Sequence, residues 1–547
     1  MNQRFFLRWF FLRWIFLIAA FWYTAAYAAT PPDFDVIRTG HPSSWAVLRD
    51  HDNRFLQAIR LLPDQNRLAW VPLAQLSLAM QKAVLISEDH RFYAHHGVDW
   101  QAVLGATWEN LRYSTHRGAS TLSMQLVGLL DPDLRRHQGG RTLDQKWRQI
   151  HAASALEKHW NKAQILEAYL NLAPLRAGLT GIHAAAQGLF ATSPDQLDTA
   201  QSAILAALLR GPNAKPDTVI WRACHLAQRM GEPSATCHRI RILVTQHLST
   251  PPTLFPAGIA NDAAHALLHQ PGETLTSSLD IRLQQTAHRM VYQMTHRNTT
   301  SLPNQSGAVI ILDNASGKIL AYASQYPSTM PSPFEQPITV TALAQPLLYA
   351  FALNTGTSTA DAVENDAPLA FISAPLAPAP DNPIDFDTAL ANAQYPAAWR
   401  IWQQIDQTGW KNFLQSLNLQ TSNTSTPAVT GNLINLANAW QMLANHGTRQ
   451  TASFYPDDTH QSQPILPPDI TNRVTSALAQ PRMIAGVWIN SRAPMAWLAE
   501  QDICRTEIAG YTNQITLLFF RQSTTCIYAR SHITDMRAWF HYFDGGN

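Results

Sequence analysis

The chain has 547 residues, 46% of them hydrophobic and 14% charged, which excludes a disordered polymer and exceeds what one core usually fills, so two or more globular domains are expected. Forty basic residues against 38 acidic ones leave a formal charge of +2, which excludes a generic nucleic-acid binder, whose basic excess would neutralise phosphates. In chain order, Arg4, Arg8 and Arg13 precede an uncharged apolar run from Trp14 to Ala29, an arrangement that leaves the remainder of the chain outside. Its sixteen residues would span roughly 24 Å as a helix, short of a ~30 Å hydrocarbon core unless Arg8 and Arg13 snorkel. Ala26-Tyr27-Ala28 also fits a signal-peptidase site. Residues 1–29 are therefore expected to be a membrane anchor or a signal segment.

Apolar residues at helical spacing between Pro72 and His90 (Leu76, Met80, Ala83, Val84) predict a helix, and Trp147–Leu172 and Thr199–Leu209 predict further helical segments. The first half is thus mainly helical. Cys224, Cys237, Cys504 and Cys526 form two sequence-local pairs; two short-loop disulfides, free buried thiols or a metal site all fit, although no pair has C-x-x-C spacing. Pro251, Pro252, Pro256 and Pro271 suit an interdomain connection over 251–272. Beyond it, an apolar run Gly307–Leu312, turn residues Asp313-Asn314-Ala315-Ser316-Gly317 and a second run Ile319–Ala323 predict a hairpin, and strands mixed with helices predict an α+β domain. The Pro- and Ala-rich stretch 366–387 reads as an exposed loop.

Glu88-Asp89-His90-Arg91-Phe92-Tyr93-Ala94-His95-His96-Gly97 puts an acidic pair at the end of a predicted helix. Taken alone, this fits a solvated helix terminus with a capping Asp as well as a general base in a cleft, and the histidines lack zinc-ligand spacing. Further segments follow in order: Gly118-Ala119-Ser120-Thr121-Leu122-Ser123-Met124-Gln125, then Arg141 with Lys146 and Arg148, then Ile165-Leu166-Glu167-Ala168-Tyr169-Leu170-Asn171, then Gly181-Ile182. The series Glu-Asp-x-x-Phe-x-x-His-x-Gly, Gly-x-Ser-Thr-x-x-x-Gln and Ile-Leu-Glu-x-Tyr-Leu-Asn resembles the glycosyltransferase family 51 domain, the peptidoglycan glycosyltransferase of bifunctional penicillin-binding proteins, over residues 70–230. The wording around Leu129-Leu130-Asp131-Pro132 and Tyr169–Pro174 is most like the penicillin-binding protein 1C branch.

That resemblance implies a lysozyme-like helical glycosyltransferase domain over 35–250, with Glu88 as the general base that takes the proton from the 4-hydroxyl of the acceptor sugar of lipid II. Asp89, Phe92, His95, Gly118, Ser120, Thr121, Gln125, Lys146, Arg148, Gln149, Glu167 and Asn171 would bind substrate. The leaving group, undecaprenyl pyrophosphate, carries two to three negative charges, which Arg, Lys or a divalent cation such as Mg2+ or Mn2+ can spread. No cofactor is otherwise required. The chain departs from the family at Gly128, where a cation is expected, at Gln149, where most members carry Glu, and at Gln201, where many carry Glu. Lipid II, the growing glycan strand and the membrane are the implied partners, other peptidoglycan synthases are candidate partners, and nucleic acid is not one. The implied location is the bacterial inner membrane, single-pass, with the bulk of the chain periplasmic.

Residues 273–547, entered through Thr276-Ser277-Ser278-Leu279-Asp280-Ile281, resemble a serine-acyltransferase (transpeptidase) domain whose chemistry needs S-x-x-K, S-x-N and K-T-G. None of the seven lysines has a serine three residues before it. The local match places Ala342 at the nucleophile, Gln345 at its lysine and Ile508 at the K-T-G strand, so this domain is expected to be degenerate and to lack transpeptidase activity. The alternative reading of the whole chain is a non-catalytic peptidoglycan-synthesis scaffold that binds lipid II or other synthases, and a third is a muramidase-type lytic enzyme.

Overall fold

The computed structural model describes residues 31–105, 120–134, 143–296, 305–326, 336–359, 362–365, 383–422, 426–459, 461–480, 482–484, 487–489, 496–501 and 505–523. They form two compact units. The first takes the described residues up to Ala46 with Arg60–Pro256 and His269–Glu273; the second takes Val47–Ile59, Ala257–Leu268 and the described residues from Thr274 onward. The expected connection over 251–272 is thus shared between the two units, and much of the stretch 366–387 lies outside the described residues, as do Cys504 and Cys526.

The first unit is mainly helical: α1 (Phe34–Thr39), α2 (Leu78–Glu88), α3 (Leu122–Leu130), α4 (Leu143–His159), α5 (Lys162–Leu172), α6 (Gly181–Phe190), α7 (Thr199–Leu209), α8 (Pro216–Arg229) and α9 (Ser234–His247). Side-chain caps set the boundaries that apolar periodicity leaves open. The α2 helix begins at Leu78 because the Ser77 hydroxyl accepts the Met80 amide. The predicted segment Trp147–Leu172 is two helices, since Asn161 and Gln164 form a reciprocal capping box that ends one and starts the next. Asp198 and Gln201 form the same box at the start of α7, so Gln201 fills with an amide the capping role a Glu would fill with a carboxylate. Ala203, Ile204, Leu205, Ala206 and Leu208 are all buried, making α7 a central helix of the unit, apolar all round.

The second unit is α+β. Five antiparallel strands run in the order β6-β7-β8-β4-β5, where β1 (Trp45–Arg49), β2 (Phe55–Arg60) and β3 (Thr274–Thr276) are a separate small sheet, and the large one comprises β4 (Gln305–Asp313), β5 (Ile319–Gln325), β6 (Ala496–Gln501), β7 (Arg505–Tyr511) and β8 (Ile515–Ser523). The predicted hairpin is β4–β5, its turn closed by the Gly317 amide on the Asp313 carbonyl and the Ser316 amide on the Asp313 carboxylate. Helix α10 (Ile281–His296) covers one face through Ala287, Met290 and Val291 against Val309, Ile311 and Ile508. Tyr511, three residues on and therefore on the other face, meets Trp440 of α11 (Leu433–Ala444) edge to face.

The expectation of a single-pass inner-membrane protein is corrected: among the described residues no helix is long and apolar enough to cross a membrane. The apolar run 14–29 that prompted it, short for a span even by its own length, lies outside the described residues.

Cys224 on α8 and Cys237 on α9 form a disulfide with their Cα atoms 4.9 Å apart at a sequence separation of 13. A loop of that length predicts about 3 kcal/mol of stabilisation through loss of chain entropy in the unfolded state. Replacing both cysteines by serine is expected to lower the unfolding midpoint of the first unit by that order, read from urea denaturation with and without reductant; under reductant the variant and the native chain should converge.

Candidate active site

Helix α5 positions the segment that leads into α2. Glu167 accepts the Trp70 indole N–H at 2.8 Å on one oxygen and the Leu73 amide at 2.7 Å on the other. One turn on, the Asn171 amide accepts from the Val71 N–H at 2.9 Å and donates to the Val71 carbonyl at 2.8 Å. Their i, i+4 spacing puts both side chains on one face of α5. Gly181 adopts φ +80°, and a Cβ there would lie 2.4 Å from the Asn171 carbonyl oxygen, so only glycine lets α6 start against α5.

The end of α2 is joined to the start of α3 through Asp89. Its buried carboxylate accepts from His95 Nε2 at 3.0 and 3.1 Å and from the Leu122 amide at 3.0 Å. The last contact places an anion on the first turn of α3, where unpaired amides favour it. Thr121, the N-cap of α3, accepts the Met124 amide and donates to the Gly97 carbonyl at 2.6 Å. Gly97 has φ +80° and its Cβ position lies 2.8 Å from backbone atoms of Ser154, so the 92–97 turn packs directly on α4. Phe92 is buried beneath the Lys162 ammonium, 4.3 Å from its ring centre, and Lys162 in turn pairs with Glu157 at 2.8 Å, to which the Ser123 hydroxyl also bonds.

Glu88, the last residue of α2, stands on this frame with its side chain 9% exposed. One oxygen accepts the Ser87 hydroxyl at 2.9 Å and the other the Gln125 amide N–H at 3.1 Å. The Tyr169 hydroxyl donates to Gln125 Oε1 at 3.0 Å, which assigns the amide orientation and turns its N–H group toward Glu88. Burial, and then the charge of Glu88, push the Tyr169 phenol well above its ordinary value, so it stays protonated and remains a donor. Arg210, the C-cap of α7, brings its Nε to 3.9 Å from Glu88 Oε1. A carboxylate at a helix C-terminus opposes the helix dipole, the reverse of what stability alone selects. On the neighbouring wall, Lys146 donates to the Ser120 hydroxyl at 2.6 Å and to Gln149 Oε1 at 3.4 Å, while the Gln149 amide donates to the Met124 carbonyl.

The residues nominated from the sequence therefore divide. Glu88, Ser120, Gln125 and Lys146 are partly exposed, and Arg148 is exposed and paired with Asp144 at 2.9 Å. Asp89, Phe92, His95, Thr121 and Asn171 are buried, Gln149 is 0% exposed, and the polar groups described for them turn inward, as does the half-buried Glu167. Gly118 and Arg141 lie outside the described residues. Tyr169 and Arg210 were not singled out for the site. The first sits inside a quoted motif, four residues from Ile165, and the second follows the apolar run of α7 as its first charged residue. Among the described residues no group of three His, Cys, Asp or Glu side chains could hold a metal ion.

Residues 52–231 match the family model described as Transglycosylase. A biosynthetic peptidoglycan transglycosylase of Pasteurella multocida is 37% identical over 185 residues, covering 33% of this chain and 69% of that protein. One from Rhodospirillum centenum is 41% identical over 162 residues, covering 29% and 67%. Penicillin-binding protein 1A of Clostridium tetani is 32% identical over 196 residues, 35% of this chain and 23% of that one. The fold is similar to the solved penicillin-binding protein 1A from Haemophilus influenzae over 92% of each chain, with a TM-score of 0.56 at 13% identity, a likeness of fold alone. The matched span 52–231 contains every residue of the site around Glu88, from Trp70 to Arg210, and with relatives this similar over two thirds of their length the chain belongs to the transglycosylase family.

Proposed function

We propose that the chain joins lipid II units into β-1,4 glycan strands with Glu88 as the general base of a peptidoglycan glycosyltransferase. The observation that carries this is the Glu88 carboxylate at the end of α2, its side chain 9% exposed and held by one neutral donor on each oxygen, Ser87 and Gln125, while the adjacent Asp89 is committed to His95 and the Leu122 amide. In the reaction the 4-hydroxyl oxygen of the acceptor sugar forms a bond to the anomeric carbon of the growing strand. The bond from that carbon to the diphosphate oxygen breaks, the proton passes to Glu88, and undecaprenyl pyrophosphate leaves with the electron pair. Direct displacement inverts the anomeric centre. Hydrogen bonds from neutral donors fix the carboxylate in place without neutralising it, which suits a base whose task is positioning as much as proton affinity. Ser120, Lys146 and Arg148 supply polar and cationic groups on the same wall for sugar and phosphate oxygens. The helical first unit fits a lysozyme-like glycosyltransferase domain.

We infer that the second unit, which fits a serine-acyltransferase-like domain, carries out no acyl transfer. Ala342 and Gln345 are buried at the start of the helix Gln345–Asn354, and the Gln345 amide donates to the Ala393 carbonyl. The Glu507 carboxylate, beside Ile508 on β7, accepts the amides of Thr341 and Leu343 at 3.3 Å. A carboxylate thus lies against the turn that carries Ala342.

Purified full-length protein in detergent with labelled lipid II is expected to give glycan polymer, and Glu88→Gln to lose roughly 10²–10⁴-fold in rate while melting at the same temperature. Polymer from Glu88→Gln at the native rate would remove Glu88 from the chemistry. A fluorescent penicillin is expected to leave no covalent label on the native chain in denaturing gels; a stable adduct would overturn the reading of the second unit.

A further inference from the structure

We infer that Arg210 is the resting counter-ion of Glu88 and gives up that pairing to the departing diphosphate, supplying from α7 the cation that Gly128 withholds from α3. The inference rests on Glu88 being the base. Helices α2 and α7 lie side by side: near their starts the Ser77 amide donates to the Pro194 carbonyl, and at their ends Glu88 meets Arg210. The backbone behind Arg210 is fixed. The Gly211 amide bonds the Leu208 carbonyl, the Ala214 amide bonds the Gly211 carbonyl, and Arg176 donates to the carbonyls of Ala214 and Leu248. Only the Arg210 side chain is therefore left to move, and it is 57% exposed.

Its contact with Glu88, 3.9 Å from Nε to Oε1, is a loose ion pair beyond hydrogen-bond length. With its guanidinium side open to water, a pair this long is screened and exchanges readily. Among the described residues Glu88 is the carboxylate paired with Arg210. A diphosphate offers more charge and a bidentate match to the guanidinium fork, so it competes for Arg210 on favourable terms. Two consequences follow from that exchange. Proton transfer to Glu88 no longer has to break an attraction to Arg210, and the guanidinium meets the negative charge that grows on the leaving oxygen. On α3, Gln125 takes the second oxygen of Glu88, and Gly128, buried three residues on, presents no cation.

The test is steady-state polymerisation of lipid II by the full-length chain, with inorganic pyrophosphate as a competing probe, for the native protein, Arg210→Ala, Arg210→Lys and Glu88→Gln. Arg210→Ala is expected to lower kcat roughly 10²-fold, the order seen when one donor to a developing anion is removed, with KM changed less than about two-fold. Arg210→Lys should recover most of that loss because it restores the charge. Inorganic pyrophosphate should inhibit the native chain more strongly than Arg210→Ala. An unchanged kcat, a change confined to KM, or a Lys variant no better than Ala would each overturn the inference. A Glu88→Gln variant as active as the native chain would instead overturn the reading of the base, and is recognised independently of the Arg210 variants. Melting temperatures within a few degrees of the native value exclude misfolding of these exposed-site variants.

Discussion

Asp89 is buried, and the groups that answer its charge come from different parts of the chain: the His95 imidazole from the turn that follows it and the Leu122 amide from the first turn of α3. A carboxylate taken out of water is costly unless it is fully hydrogen-bonded, so this one anion obliges the end of α2, the 92–97 turn and the start of α3 to meet at one point. Everything around the reactive group inherits its position from that meeting. Gln125 lies on α3 one turn from the anchored end, Thr121 caps the same helix while holding Gly97, and Glu88 is the residue immediately before the anchor. Adjacent acidic residues thus have opposite assignments, one committed to the frame and one held by the side chains of Ser87 and Gln125 with Arg210 beside it.

A second constraint acts at the other end of α2. Glu167 and Asn171 hold residues 70–73 through three hydrogen bonds to backbone and one from the Trp70 indole, so the helix that carries Glu88 is fixed at both ends by α3 and α5. Packing of α2 along α7 then brings Arg210 to the carboxylate. The site is built on helices and not on loops, which suits chemistry that depends on placing a hydroxyl oxygen and an anomeric carbon within bonding reach.

Much of this was legible in the residues. Apolar spacing gave a helix between 72 and 90, observed over 78–88, and the helix over 199–209, turn chemistry at 313–317 gave the hairpin, and the ordered motifs pointed to the family. Helix boundaries were less legible because side-chain caps decide them: Ser77 and the Asn161–Gln164 box move or divide helices within continuous apolar patterns. The direction in which each motif residue faces was not legible at all. Glu167 and Asn171 read as polar residues suited to substrate, yet they bond backbone, because the segment they hold is about 100 residues away in sequence. Arg210 was hidden for the same reason, its partner lying on another helix. The absence of any serine three residues before a lysine is plain in the sequence, whereas the Glu507 carboxylate at the turn 341–343 depends on strand register that no local pattern supplies.

We propose that Tyr169, Gln125 and Glu88 act as one unit, the phenol orienting the Gln125 amide and the amide orienting the Glu88 carboxylate. A double-mutant cycle on the rate of lipid II polymerisation, with Tyr169→Phe, Gln125→Leu and the pair together, tests it most directly. Tyr169→Phe is expected to slow the native chain several-fold, on the scale of one hydrogen bond, and to have no further effect once Gln125 is leucine. Effects of the two substitutions that simply multiply would contradict it, since Tyr169 would then reach the reaction by a route that does not pass through Gln125.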